Sequence, residues 1–301
     1  MIMIQVAGFV GVQDLGRNGF LHSGVGVSGA MDKFALMAAN AALGNDLGAA
    51  GLEIMGAVSV EFTNDSNFIL TGTEYKLKLN DTYINSYTRY SVKKGDILSI
   101  EGAIDGMYGY LAISGGIDVP VVLGARAQSV SGGFGGFCGR FLKSNDELKI
   151  HRSSPLKPLK IQAPQQRESI RILASSEWSD FIMPQTILAQ PYKLTSNLSR
   201  MGYRLEGELA LKPRKSLEMP SHGVMPGVVQ IPPNGQPIVL MKDAQTTGGY
   251  PKIATVIDAD LGHLAQKRPA QSVQFELISV KNAILASKEL NEQILKIKEL
   301  A

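Results

Sequence analysis

The sequence predicts a mainly β protein with two β-rich lobes and a few short helices. Short runs of β-branched and aromatic residues recur along the chain, and turn residues such as Asn80-Asp81 and Lys94-Gly95-Asp96 separate them. A stretch rich in Pro and Ser at residues 152–160 divides the runs into two groups. Hydrophobic residues make up 44% of the 301 and charged residues 19%, which is typical of a globular protein with a buried core.

The strand-like runs lie close together, which favours antiparallel barrels or sandwiches over alternating strands and helices. The sequence therefore predicts two domains, a β-rich domain with one early helix over residues 1–160 and a second β-rich domain with a C-terminal helix over residues 161–301. The predicted strands occupy residues 58–62, 67–71, 75–79, 97–100 and 108–113 in the first domain, and 169–174, 192–195, 202–205, 227–231, 238–241, 253–257 and 272–279 in the second.

Two segments have helical rather than strand periodicity. Residues 31–43 carry Ala, Leu and Met at helical spacing, with Ser28 as the predicted N-cap and Gly44-Asn45 as the stop signal. At the C-terminus, Leu290, Ile294 and Ile297 fall near one helical face between Lys and Glu residues. Because these charges are of both signs, this helix is predicted to be a docked or fraying amphipathic helix rather than a membrane anchor.

Composition excludes several classes of protein. A net charge of +3 with scattered Lys and Arg does not predict nucleic-acid binding. Cys138 is the only cysteine, so no internal disulfide is possible, and a packed, inert thiol is expected. The first residues lack the basic and apolar regions of a signal peptide, and no apolar run approaches membrane-spanning length, so a cytoplasmic protein is expected.

The common catalytic and nucleotide-binding motifs are missing from the sequence. It contains no P-loop and no Gly-x-Ser-x-Gly motif. The glycine-rich residues 132–139 are interpreted as a buried or crossing stretch of backbone rather than a phosphate loop. No metal site is predicted, because the histidines lie far apart without a carboxylate at ligand spacing; they are His22, His151, His222 and His263.

The polar segment at residues 243–258 is the most informative part of the chain. It lies between the strand-like residues 237–241 and 253–257 and contains more hydrogen-bonding groups than a simple hairpin needs. Two adjacent glycines permit backbone angles closed to other residues, which would bring main-chain N–H groups close to a ligand. Its polar residues are Gln245, Thr246, Thr247, Gly248, Gly249 and Tyr250.

Two further segments are candidates for anion binding. Arg17 would hold a carboxylate or phosphate through two hydrogen bonds, although Asp14 or Asp32 could instead pair with it structurally. Arg200 and Arg204 flank a Gly-Tyr turn that resembles an anion site, whereas Arg204 and Glu206 could be an ordinary surface pair. Three polar segments in one chain favour a shared site.

These segments are identified as motifs of the biotin-dependent carboxyltransferase-like family, also called allophanate hydrolase subunit 2 or KipA-like. The resemblance runs in order from about Val12 to Phe275. Its strings are Val12-Gln-Asp-Leu-Gly-Arg17, Gly26-Val-Ser28-Gly-Ala-Met-Asp32, Ala38-Ala-Asn40-x-x-x-Gly44-Asn45, Tyr110-Leu-Ala-Ile-Ser-Gly-Gly116-Ile, Arg200-Met-Gly-Tyr-Arg204-Leu-Glu-Gly207 and Gln245-Thr-Thr-Gly-Gly-Tyr-Pro-Lys-Ile-Ala-Thr255.

The resemblance implies a cyclophilin-like barrel in the second half and a role as one subunit of an enzyme. Family members of this size include one component of a multi-subunit, ATP-dependent 5-oxoprolinase, which opens 5-oxo-L-proline to L-glutamate. The implied partners are a KipI-like protein, the B subunit, and a LamB/YcsF-like protein, the A subunit. ATP is expected in the complex, on this chain or on a partner, and this chain has no Ala-Met-Lys-Met biotin-attachment sequence.

From the resemblance and the polar segments together we predict one site. The predicted catalytic residues are Arg204, Gln245 and Asp243. The predicted substrate-binding residues are Arg17, Ser28, Asn197, Arg200, Gln230, Thr246, Thr247, Gly248, Gly249 and Tyr250.

Two alternatives remain open from the sequence. In the first, the chain is a component of a biotin-dependent carboxyltransferase of the urea amidolyase type, whose carrier and carboxylase lie on other chains. In the second, it is a KipA-like regulator that binds a KipI-like kinase inhibitor, and the polar segments form an interaction surface without turnover.

Overall fold

The computed structural model describes residues 1–214 and 220–301. The chain divides into two compact units. Unit 1 comprises Met1–Arg17, Ser28–Pro164 and Asn291–Ala301, and unit 2 comprises Asn18–Val27 and Gln165–Leu290. The sequence predicted two continuous domains, 1–160 and 161–301. The two units are discontinuous instead, because residues 18–27 belong to unit 2 and residues 291–301 belong to unit 1.

Unit 1 is built on an eleven-stranded curled sheet. Its elements are β1 (Ile2–Gln13), α1 (Lys33–Ala42), β2 (Gly51–Phe62), β3 (Ser66–Thr71), β4 (Tyr75–Leu79), β5 (Thr82–Ile84), β6 (Thr88–Val92), β7 (Ile97–Ala103), β8 (Gly109–Ile113), β9 (Ile117–Asp118), β10 (Glu147–Ile150) and β11 (Leu159–Lys160). The main path runs β11-β6-β3-β8-β2-β1-β10-β9, and β7 joins β4 and β5 to β2.

Strands β3 and β8 are buried along their whole length because both faces of the sheet are covered there. On one face, Phe68 and Leu70 pack in the main core of unit 1. On the other, Ile69 and Ala112 pack against the alanine-rich side of α1. Continuous apolar runs are expected for strands buried on two sides, which explains why both strands could be predicted from the sequence.

Helix α1 begins later than the sequence predicted. Its N-cap is Asp32, whose carboxylate accepts the backbone N–H of Ala35 at 3.1 Å. The prediction of Ser28 as the N-cap is therefore wrong: Ser28 lies four residues earlier in a left-handed conformation, with φ at 53°. The predicted stop is confirmed, because Gly44 takes φ at 68° immediately after the helix ends.

Unit 2 contains a closed barrel of seven strands in the order β12-β19-β16-β17-β14-β13-β20. A separate ribbon pairs β15 with β18. The elements are β12 (Ser169–Ala174), β13 (Tyr192–Leu198), β14 (Gly202–Glu206), β15 (His222–Gly223), β16 (Val228–Gln230), β17 (Ile238–Leu240), β18 (Thr247–Gly248), β19 (Lys252–Val256), α2 (Asp258–Ala265), β20 (Ser272–Leu277) and α3 (Val280–Leu300), with short 3-10 turns at Leu21–Ser23, Trp178–Asp180 and Pro184–Leu188.

The predicted mainly β fold with a barrel in the second half is confirmed. The predicted C-terminal helix is also confirmed as α3, although it is longer than the short helices that were expected. Its residue Ile294 is buried in unit 1, and Leu290 packs against a core cluster of unit 2. No helix in the described part of the chain is long and apolar enough to cross a membrane.

The glycine-rich stretch at residues 132–139 packs against the chain itself. A Cβ at Gly135 would lie 2.1 Å from the Ala127 carbonyl oxygen, and one at Gly139 would lie 2.2 Å from the Gly133 backbone. These glycines are needed for close backbone packing, as the sequence interpretation proposed. The expectation of a packed thiol is wrong, because Cys138 is exposed.

Candidate functional site

The turn segment, defined here as residues 243–251, connects β17 to β19 and contains β18. Gly248 pairs with His222, and Thr247 pairs with Gly223 of β15. The ribbon is extended by a hydrogen bond from the Val224 N–H to the Thr246 carbonyl, at 3.0 Å. The side chains of Gln245, Thr247 and Tyr250 are exposed along this segment, so they are available to a ligand.

The two glycines of the turn segment do not adopt the left-handed backbone angles that the sequence suggested. Gly248 is crowded for a different reason, because a Cβ there would lie 2.6 Å from Nε2 of Gln230, whose side chain would have to move. Gln230 is only 2% exposed, and its Nε2 donates to the Tyr250 carbonyl at 3.4 Å. The buried amide of Gln230 therefore packs beneath the turn segment and contacts its backbone rather than solvent.

Arg200 and Asp243 form an ion pair at the start of the turn segment. Nε of Arg200 donates to one carboxylate oxygen at 2.7 Å, and Nη2 donates to the other at 3.1 Å. The backbone of Asp243 also donates to the Arg200 carbonyl at 2.7 Å. Both side chains are mostly buried, at 12% and 8% exposed. Arg200 and Asp243 are therefore ion-pair partners, and their contact joins the Arg200–Arg204 segment to the turn segment.

Unlike Arg200, which is mostly buried in an ion pair, Arg204 is exposed. It lies on β14 with its side chain exposed, and none of the ion pairs among the described residues involves it. Neighbouring β13 changes register between Leu194 and Leu198, and Asn197 lies exposed in that irregular stretch. Thr195 Oγ1 accepts the Asn197 N–H and donates to the Arg204 carbonyl, both at 3.1 Å. Thr195 thus links the backbones of Asn197 and Arg204, and an exposed guanidinium such as that of Arg204 can bind an anion.

The early segment 18–27 also reaches the turn segment. A Cβ at Gly26 would lie 3.2 Å from the Ala244 carbonyl oxygen, a tight contact, so glycine favours this close approach. The Gly24-Val-Gly-Val part of the first polar segment thus lies against the third within unit 2.

Arg17 and Ser28 belong to unit 1 and are buried there. Arg17 is 1% exposed; its Nη2 donates to the Ala127 carbonyl, and its guanidinium lies 4.8 Å from the ring centre of Phe134. Asp14 accepts the backbone N–H of Gly16 and of Arg126, at 2.7 and 2.5 Å. These contacts give Arg17 a packing role in unit 1, and its assignment to a substrate stays a prediction.

Sequence reasoning missed three charged or titratable residues next to the turn segment. Glu177 Oε2 accepts the backbone N–H of Lys252 at 2.6 Å. Its Oε1 lies 3.2 Å from Lys252 Nζ and 3.8 Å from Nε2 of His222. Glu177 and His222 are distant in sequence from each other and from Lys252, so no spacing pattern connects them. The only signal was the position of Lys252 within residues 243–258, the segment that the sequence had already singled out.

The comparisons with known proteins identify the family of the chain. The model of the family described as carboxyltransferase domain, subdomain A and B, matches residues 23–277. The chain is 43% identical over 276 residues to the C subunit of 5-oxoprolinase from Haemophilus influenzae, covering 90% of this chain and 89% of that protein. It is 42% identical over 293 residues to the C subunit of 5-oxoprolinase from Escherichia coli, covering 95% and 94%.

A solved structure shows the same fold within a larger protein. The crystal structure of Kluyveromyces lactis urea carboxylase superposes with a TM-score of 0.91 at 27% identity. The match covers 98% of this chain but only 29% of the urea carboxylase chain.

Proposed function

Because this chain belongs to the family of the carboxyltransferase domain, subdomains A and B, we propose that it is the C subunit of a multi-subunit, ATP-dependent 5-oxoprolinase. This enzyme converts 5-oxo-L-proline to L-glutamate. One observation carries the proposal: the chain matches nearly the whole length of two bacterial proteins that bear this name. Proteins so named work together with other subunits, so this chain is one component of an enzyme complex.

The chemistry explains why ATP is needed. The lactam of 5-oxoproline is an unactivated amide. Transfer of the γ-phosphoryl group of ATP to the lactam oxygen makes the ring carbon electrophilic, and water then attacks that carbon. The C–N bond breaks as the ring nitrogen takes a proton, and a second water releases phosphate and L-glutamate. A site for this reaction needs fixed hydrogen-bond donors at the oxygen where charge develops.

The turn segment offers such donors. We assign the exposed Gln245 and Thr247, with Thr246 and the N–H groups of Gly248 and Gly249, to the orientation of the lactam. Tyr250 contributes its exposed ring, and Gln230 supports the segment from beneath.

We assign the anionic groups of the substrate to Arg204, together with the exposed Asn197. Arg200 and Asp243 hold the start of the turn segment through their ion pair, so a proton-transfer role for Asp243 would require breaking two hydrogen bonds. ATP belongs to the complex. In this proposal the partners of this chain are the KipI-like protein, as the B subunit, and the LamB/YcsF-like protein, as the A subunit.

The test is reconstitution. The three co-expressed subunits, supplied with 5-oxoproline and ATP, are expected to form L-glutamate and ADP, and omission of this chain abolishes the reaction. Arg204→Ala and Gln245→Ala each lower kcat/KM for 5-oxoproline by about 100-fold or more. Both side chains are exposed, so stability changes by no more than about 0.5 kcal/mol.

Lys193→Ala is the matched control, because Lys193 is an exposed basic residue on the adjacent strand β13. It should leave turnover unchanged. A complete complex that produces no glutamate would refute the proposal, and full activity of both Ala variants would remove these two residues from the site.

The superposition on urea carboxylase favours a second candidate, a carboxyltransferase component. Because this chain lacks a biotin-attachment sequence, the biotin carrier and the biotin carboxylase would lie on other chains. In this case the turn segment would hold the ureido ring of biotin or urea. The candidate predicts that carboxybiotin on a carrier protein loses its carboxyl group to urea only when this chain is added.

A further inference from the structure

Glu177 contacts both sides of the turn segment. It accepts the Lys252 N–H and lies beside Lys252 Nζ, at 2.6 and 3.2 Å. Lys252 is the first residue of β19, directly after the turn segment. Glu177 also faces His222 of β15, which pairs with Gly248 inside the segment. One carboxylate therefore contacts the strand that follows the segment and the strand that pairs with it.

The backbone of Glu177 is held against the barrel. It follows the end of β12, a strand that pairs with β19 through Ala174 and Ala254. Its own N–H donates to Ser175 Oγ at 3.1 Å, and Ser175 in turn donates to the Lys252 carbonyl. The Glu177 side chain is 13% exposed. In such a partly buried place an ion pair is screened less by water and salt than on an open surface.

His222 faces Glu177 with a nitrogen that does not reach solvent. Its Nδ1 lies 3.2 Å from the Pro220 carbonyl, which can only accept, so Nδ1 carries the hydrogen. Its Nε2 is buried, and none of the described residues forms a hydrogen bond with it. Because Nε2 is buried, it cannot contact a substrate directly.

We propose that Glu177 is a positioning residue for the turn segment. Through Lys252 and His222 it fixes the ribbon of β15 and β18 on the barrel, and thereby fixes where Gln245 and Thr247 meet the substrate. The identity of that substrate rests on the proposed function. The positioning itself is a property of the chain alone, so it can be tested without turnover.

The first test is backbone amide hydrogen exchange on the full chain. Glu177→Gln keeps the size of the side chain and an acceptor for the Lys252 N–H but removes the charge. Exchange at Val224, which donates to Thr246, and at Lys252 is expected to rise about tenfold. The Ile257 amide, which donates to Arg171 in the same unit, is the internal reference and keeps its rate.

Two other variants separate the contacts. His222→Gln should raise exchange at Val224 and leave Lys252 unchanged, because it removes only the imidazole. Glu276→Gln is the matched control: Glu276 accepts a hydrogen bond from Ser169 at 3.1 Å but lies on β20, and the variant should leave both amides unchanged. Native exchange at Val224 and Lys252 in Glu177→Gln would overturn the proposal.

The second test uses the reconstituted complex. Glu177→Gln is expected to lower kcat/KM for 5-oxoproline by about 10- to 100-fold, since small displacements of positioning groups have effects of this size. The KM for ATP is expected to change by less than about twofold. Faster exchange in a variant that keeps full activity would overturn the positioning role. Faster exchange with a native complex that forms no glutamate would uphold the positioning and refute the proposed function.

Discussion

Asp146 makes two hydrogen bonds with the guanidinium of Arg140, at 2.7 and 2.8 Å, and also accepts the Lys143 N–H at 2.7 Å. The side-chain hydrogen bond from Arg140 lowers the pKa of Asp146 below its ordinary value. Because the pKa is lower in the folded protein than in the unfolded chain, the pair stabilises the fold fully above roughly pH 4. This stabilisation is lost as the pH falls through the folded-state pKa.

Asp146→Asn should therefore reduce the free energy of unfolding by about 1 kcal/mol at pH 7, the upper range for a partly exposed pair with good geometry. The difference from the native protein should shrink steadily as the pH is lowered below about 4. Urea unfolding between pH 7 and acid measures it. Asp118→Asn is the control, because Asp118 makes a single 3.4 Å contact with Arg126 and should show almost no effect. A pH-independent loss would contradict the assignment.

Gly248 shows what residue-level reasoning on the sequence achieved and where it stopped. The glycine was correctly identified as unusual, because a side chain there would collide with Gln230. The predicted reason, a left-handed backbone, is wrong, since the close neighbour comes from β16 and is invisible in the local sequence. The pairing of Arg200 with Asp243 is another contact over a large sequence separation. Sequence identified the polar residues but not which of them neutralise each other.

Helix α1 depends on Asp32 for its first turn. The carboxylate satisfies the Ala35 N–H, one of the donors that has no partner within the helix. Asp32→Ala should lower stability by about 1 kcal/mol, whereas Asp32→Asn should cost only a few tenths, because Asn caps a helix nearly as well. Thermal or urea unfolding of the two variants checks this. An Asn variant as unstable as the Ala variant would show that Asp32 acts through its charge rather than as a cap.

The strands differ in how well the sequence predicted them. Strand β12 was predicted with its observed bounds, 169–174, because its alternating apolar residues Ile170 and Ile172 face the barrel core. The long strand β1 was not predicted. Its register shifts between Ile4 and Val6 and between Ala7 and Phe9, which interrupts the alternation that identifies a strand. The two-residue strands β15 and β18 are too short for any periodicity, yet they form the ribbon of the candidate site.

Helix α3 supplies buried residues to the cores of both units. Ala286 is buried in a cluster of unit 2, and Ile294 is 1% exposed in a cluster of unit 1. Ile294→Ala in the full chain should reduce the free energy of unfolding by about 2–5 kcal/mol, because it leaves a cavity beneath α1 and β3. Leu295→Ala should change it by no more than about 0.5 kcal/mol, since Leu295 is 54% exposed. Equal losses in the two variants, measured by urea unfolding, would show that the helix is not docked through Ile294.

The sequence alone determined the mainly β class, the division of the chain into two β-rich parts, the C-terminal helix and the polar segment at residues 243–258. Each of these follows from a local pattern, because turn residues and the spacing of apolar residues involve positions that are close together in the sequence. Only the tertiary structure decided that residues 18–27 belong with the barrel and that residues 291–301 belong with unit 1. It also decided that Gln230 lies beneath Gly248 and that Glu177 contacts Lys252 and His222. These contacts join residues far apart in sequence, and they depend on how the barrel strands pair, which no local pattern encodes.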